Sequence, residues 1–266
     1  MSVKAFVRAK AVLWLHTIRL WRFRWSFLNW ILSDAAWIFL FVLGALLFVP
    51  REQLSMAVKG AFWTIVAWSV ISNFSSLIGS WMNFFISIGM VEEHLVRGFS
   101  PFKALLGRLI TGSSITIASL LFMAMLVGGA FHVDLLSADR TWLLVLGLGL
   151  LAVEGISYGF TVAAISMRTS VPNNLLEILN LGIIGLLMVP VQAIPRSARL
   201  AYLCIPYVAP LHLMKVATSS ALPMLLEKAV LISALEATAM FFVALFVMRF
   251  VEVWIKRNGV KAIGFW

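Results

Sequence analysis

Six long apolar runs separated by short polar stretches organise the chain: residues 27–49, 56–90, 109–131, 141–167, 175–191 and 229–250. A helix needs about 20 apolar residues to cross a bilayer's ~30 Å hydrocarbon core. The pattern predicts an all-α polytopic membrane protein with six transmembrane helices, its single domain covering residues 1–266 and its spans residues 27–250. The run at 56–90 is too long for one crossing, so its helix is expected to tilt or to project beyond the bilayer.

Three segments depart from this pattern. Residues 1–26 mix basic and aromatic side chains. At 100° per residue, Lys4, Arg8, Arg19 and Arg22 share one face, and Val3, Phe6, Val7, Leu13, Trp14, Trp21 and Trp25 crowd the other, with Lys10 and Arg24 as exceptions. That predicts an amphipathic helix lying in the membrane interface. Residues 190–228 hold Pro190, Pro195, Pro206, Pro210 and Pro223, five of the chain's eight prolines. The segment is too broken to span and too apolar for a free loop. It predicts short re-entrant helices in the outer leaflet, their free backbone groups covered by protein. Residues 251–266 read as a basic cytoplasmic tail.

Composition narrows the function classes. The chain is 62% hydrophobic and 12% charged, which leaves no room for a soluble domain. A net charge of +10 would suggest nucleic acid in a soluble protein. In a membrane protein it points instead to cytoplasmic loops beside anionic lipid, with no nucleic acid as partner. With both termini inside, the inner segments carry 14 Lys and Arg and the outer ones seven, four of the seven in residues 190–228. The count favours both termini in the cytoplasm; the membrane expected is the cell membrane, plasma or inner. The one cysteine, Cys204, has no intrachain partner. The basic first 26 residues lack a compact apolar core with a cleavage site, so no cleavable leader is expected.

Candidate chemistry is sparse. The most polar interruption, residues 88–108, carries Glu92, Glu93, His94, Arg97, Lys103 and Arg108 around Gly98 and Pro101. Gly98 loosens the backbone, and Pro101 suits the first turn of a new helix with Ser100 as cap. Phe99, Phe102, Leu105 and Leu106 recur at spacings of three and four, which predicts one apolar side on a short surface helix. Glu154 lies at mid-span beside Gly155 and Gly159. A carboxyl there faces protein or water, and glycines four apart admit a close helix. Either Glu154 lines a path or an interface between two copies, or it is hydrogen-bonded to a neighbouring helix and only packs. Glu236 is a second acid inside the last span. Residues 107–112 have the glycine spacing of a phosphate loop, but Ser113 stands where the lysine belongs. The chain is therefore not expected to bind ATP by that route, and no metal-ligating cluster or Ser/His pair is evident.

Two stretches resemble the membrane subunits of ABC-2 type exporters. The first is the acidic pair Glu92-Glu93 followed by Gly98, Ser100, Pro101 and the run Phe102-Lys103-Ala104-Leu105-Leu106. The chain departs from the family pattern in having Gly98-Phe99 where a Gly-Thr pair is often found. The second is Pro195, then Tyr207-Val208-Ala209-Pro210-Leu211-His212 and Lys215, near the other end of the chain. The resemblance implies a permease half that forms a translocation path as a dimer, with a second copy or a related chain. It implies docking of two separate ATPase subunits through a cytoplasmic coupling helix at Glu92, Glu93, Arg97, Gly98, Pro101, Phe102, Lys103, Leu105 and Leu106. ATP and Mg would sit in those partners, and no cofactor in this chain. Glu154, Gly155, Gly159 and Glu236 would line the path or the dimer interface, and Pro195, Tyr207, Pro210 and Lys215 would form the outer re-entrant motif. The cargo expected is hydrophobic or amphipathic: a drug, lipid, peptide or lipid-linked glycan. The rival reading is a secondary transporter with an ion or proton site at Glu154.

Overall fold

The computed structural model describes residues 10, 11, 14, 17, 18, 20–46, 49, 50, 54–169, 173–218 and 225–259. Its helices are α1 (Arg24–Leu46), α2 (Leu54–Ser87), α3 (Met90–Val96), α4 (Pro101–Phe131), α5 (Thr141–Arg168), α6 (Asn173–Met188), α7 (Arg199–Leu203), α8 (Val208–Ala217) and α9 (Leu226–Asn258), with a 3-10 turn at Val191–Ala193. Among the described residues there is no strand. Among the described residues four helices, α2, α4, α5 and α9, are long and apolar enough to cross a membrane. The chain is an all-α, membrane-embedded protein. A count of six needs α1 and α6 as well. With 23 residues α1 has the length. The 16 residues of α6 reach only roughly 24 Å, short of the ~30 Å core.

The central post is α5, which packs on α2, α8 and α9. Three of its glycines make that possible. A Cβ added at Gly155 would lie 3.3 Å from the Cα of Ile71, and one at Gly159 would lie 2.9 Å from the carbonyl oxygen of Phe74. One at Gly147 would lie 2.9 Å from the carbonyl oxygen of Pro210 in α8. The Gly155 and Gly159 face is thus filled by α2 of the same chain, so the close approach expected of this pair is made within the molecule. Polar links add register. The Asn73 amide donates to Thr116 Oγ1 at 3.3 Å, the Trp68 indole to the Asn180 carbonyl at 3.0 Å, and the Asn180 amide to Ser72 Oγ at 3.3 Å. They tie α2 to α4 and α6.

Buried apolar side chains fall into two groups. The larger unites α2, α4, α5, α8 and the 132–140 loop. The smaller gathers Met82, Phe85, Val91, Phe102, Leu105, Phe160, Met167, Val251 and Ile255. It therefore joins the end of α2, the start of α4 and the ends of α5 and α9 at one end of the bundle.

Several sequence-based boundaries move. The third long helix starts at Pro101, eight positions before the expected span, because Gly107 does not interrupt it. No separate short helix follows Pro101; the short surface helix is α3, opened by Gly89 in the left-handed region at φ 70°. The last helix runs to Asn258, with Val251 and Ile255 buried, so the tail expected from residue 251 is helical and packed for its first eight residues. Most of residues 1–19 lie outside the described residues. At their edge Trp14, Trp21 and Trp25 are exposed, and the Arg24 guanidinium lies 4.8 Å from the Trp21 ring centroid.

Candidate functional site

The proline-rich segment breaks into pieces that are held by side chains. Where α6 ends, its last carbonyls have no helical partner. The Tyr202 hydroxyl lies 2.7 Å from the Leu186 carbonyl oxygen and 2.9 Å from that of Val189. Arg199 donates through Nε to the Ile194 carbonyl at 2.9 Å and through Nη2 to that of Gln192 at 3.0 Å. Lys215 Nζ donates to the Leu187 carbonyl at 3.4 Å. Burial pulls the Lys215 ammonium down to about 8. Pro195 opens a turn, its carbonyl accepting from the Ala198 N–H at 2.9 Å, and is itself exposed. Pro210 sits in the first turn of α8, where a missing N–H costs no helical hydrogen bond.

Helix α8 starts beside a fully buried carboxyl. Tyr207, its N-cap, has φ 73°, a strained value for a side chain of that size. Its backbone N–H donates at 3.0 Å to Oε2 of Glu154, which is fully buried at mid-helix in α5. The carboxyl thus does from another helix what the third-residue Glu or Gln of a capping box does locally, accepting from the N-cap N–H, and it sits at the positive end of the α8 dipole. The Tyr207 ring packs edge-on against Tyr158, one turn after Glu154, at 6.4 Å between centroids. Burial pushes the Tyr207 phenol above its ordinary value. Glu236 on α9 is close enough for its charge to act on Glu154. Oε1 of Glu154 and both carboxyl oxygens of Glu236 are buried without a hydrogen-bond partner. Among the described residues no third His, Cys, Asp or Glu completes a metal site.

The polar turn lies at the other end of the bundle. A Schellman motif closes α3: Gly98, at φ 68°, donates to the Leu95 carbonyl at 3.1 Å and Phe99 to that of His94 at 2.8 Å. Ser100 is the N-cap of α4, without a side-chain cap bond, and Pro101 occupies its first turn. Glu93 and Arg97 form a 2.6 Å ion pair on the solvated face of α3, while Glu92, Lys103 and Leu106 are exposed. Phe102 and Leu105 are not surface residues. Phe102 is 5% exposed, edge-on to Phe160 at 6.4 Å, and Leu105 is fully buried. The single apolar face expected for Phe99, Phe102, Leu105 and Leu106 is therefore divided. Because α4 continues unbroken from Pro101, Phe102 and Leu105 turn inward into the smaller buried cluster, where Phe102 meets Phe160. The free apolar surface consists of Ile88, Val96, Phe99 and Leu106, with Val96 88% exposed.

The structure thus assembles Glu154, Tyr207 and Glu236, with Pro210 in the adjoining helix turn. It sets Lys215 beside α6, leaves Pro195 at the surface and places Gly155 and Gly159 against α2. Tyr158, Gly147, Arg199 and Tyr202 were not singled out from sequence. Tyr158 and Gly147 could have been: they lie four after and seven before Glu154, on or near its helical face. The carbonyl partners of Arg199 and Tyr202 have no signature in the chain. No protein-family model matches the chain, and no curated protein matches it.

Proposed function

We propose that this chain is the membrane-spanning permease of an ATP-driven exporter of the ABC-2 type. It works as a dimer with a second copy or a related chain, in the plasma or inner membrane with both termini in the cytoplasm, and moves a hydrophobic or amphipathic cargo. Separate ATPase subunits bind ATP and Mg and dock on the polar turn. The observation that carries this reading is the turn α3–Gly98–α4, a rigidly capped corner with Val96, Phe99 and Leu106 uncovered around the charged Glu92, Glu93 and Lys103. Apolar side chains at a helix corner outside the bilayer call for a groove on a partner. The broken, internally satisfied segment from the 3-10 turn to α8 supports it from the opposite end, as a cap over the path.

Co-expression and co-purification with a candidate ABC ATPase subunit from the same source test the proposal. The expected result is ATP turnover only in the complex, with release of the ATPase by Val96→Asp or Leu106→Asp and little change with Lys103→Ala. ATP turnover by the purified chain alone, or full retention of the ATPase by both aspartate variants, overturns it.

A second reading, a secondary transporter, is favoured by one observation: Glu154 and Glu236, on two helices that pack together, both carry buried carboxyl oxygens without a hydrogen-bond partner. It requires uptake driven by an imposed proton or ion gradient in vesicles without ATP, lost in Glu154→Gln.

A further inference from the structure

Both α4 and α5 pack on α2, yet they scarcely touch each other. Between them lies a groove of about 460 Å³, floored by Trp63, Val70 and Phe74 of α2 and walled by Thr116 and Leu120 of α4 and Gly149 of α5. From residue 62 to residue 74 the floor extends roughly 18 Å at 1.5 Å per residue. That compares with roughly 15 Å for the hydrocarbon of one leaflet, half of the ~30 Å core. Ile117 and Leu121, also in the wall, are 58% and 51% exposed, so the groove opens sideways toward lipid.

Its cation lies near one end; at the other, Ser113 and Thr116 line the wall, and Thr116 Oγ1 is occupied by the Asn73 amide at 3.3 Å. Trp63 is 4% exposed, and its indole N–H has no partner. One turn earlier on the same face of α2 is Lys59, whose ammonium donates to Ser137 Oγ at 2.9 Å, next to Leu136 in the groove wall. The order along α2 is therefore a cation, then a buried donor, then an apolar trough of leaflet length.

We propose that this groove holds one acyl chain of a phospholipid with an anionic headgroup. The phosphate meets Lys59, and the chain lies along Val66, Val70 and Phe74. A lysine near the bilayer surface attracts anionic lipid. An apolar body without a head group leaves the ammonium unanswered, and a soluble anion leaves the trough empty.

The test is native mass spectrometry of the full chain in mild detergent with equal amounts of phosphatidylglycerol and phosphatidylcholine bearing the same acyl chains. The parent should retain one phosphatidylglycerol in about fivefold preference, which is what one lysine near the membrane surface supplies. Lys59→Ala should lose the preference but keep lipid. Gly149→Leu should lose both lipids: a Cβ at Gly149 meets nothing within 4 Å, so the side chain enters the groove without displacing a neighbour. Ala152→Leu, another groove-lining position, repeats the test should Gly149→Leu fail to fold. Equal retention of the two lipids by the parent, or parent-like lipid content in a folded groove-filling variant, overturns the proposal.

Discussion

The backbone N–H of Tyr207 is bound by the carboxyl of Glu154, 53 positions earlier, at 3.0 Å. A helix start inside the membrane domain is thereby held by a residue of a different helix. This gives Glu154 a job that needs an acceptor oxygen but no particular charge.

Glu154→Gln and Glu154→Leu separate these requirements. Gln keeps an amide oxygen for the Tyr207 N–H, whereas Leu leaves that donor buried and unpaired, at a cost of about 1–3 kcal/mol. The melting temperature in detergent should stay near the parent's for Gln and fall for Leu. Equal melting of Leu and parent would remove the capping role.

The glycines of α5 should rank by what their added methyl meets. Gly159→Ala drives a Cβ to 2.9 Å from a backbone oxygen, and Gly155→Ala one to 3.3 Å from a Cα. Overpacking of this kind costs about 1–3 kcal/mol, more at Gly159. Gly182→Ala in α6 meets nothing within 4 Å and should be neutral or slightly stabilising. Thermal melting of the three variants checks the order; a Gly182 variant as damaged as the Gly159 one would contradict the packing.

Phe102→Ala removes a 5%-exposed ring from the cluster with Phe160. It should destabilise the chain by about 3–5 kcal/mol whether or not a partner is present. Leu106→Ala, at a 52%-exposed position, should leave the melting temperature unchanged. The comparison needs only the isolated protein.

Single cysteines in a Cys204→Ser background report which ends share a side; the native thiol is free and exposed, so it must go first. Arg196→Cys and Ser137→Cys should react with an impermeant thiol reagent from outside, and Val96→Cys only after the membrane is opened. Lys215→Cys should react slowly from either side, because that side chain is half-buried against α6. Labelling of Val96→Cys and Arg196→Cys from the same side would refute the arrangement.

The long helices were legible in the sequence because apolar runs of this length permit little else. Their ends were harder to read. Gly107 looks like a break beside Pro101, yet helix hydrogen bonds carry through it, and that alone moved Phe102 and Leu105 from surface to core. Gly89 marks the break that matters, and nothing local sets it apart from Gly107. The acids Glu154 and Glu236 stood out as carboxyls at mid-span, but their neighbourhood depends on the packing of α5 with α8 and α9. The charge count was blunted by basic residues in the broken segment for a reason now visible. Arg199 and Lys215 are there to bind the carbonyls of Leu187, Gln192 and Ile194, so they answer to the backbone rather than to topology.

Phe160 and Glu154 are borne by one uninterrupted stretch of α5. They are six positions apart, roughly 9 Å of helix, and the two glycines between them are held against the backbone of α2. One bears the ring of Phe102 behind the polar turn; the other grips the start of α8. The post therefore acts as a crankshaft: a displacement of the turn that moves Phe102 cannot be absorbed between the two journals. It must reach Tyr207 as a change in the strain already held at its φ of 73°.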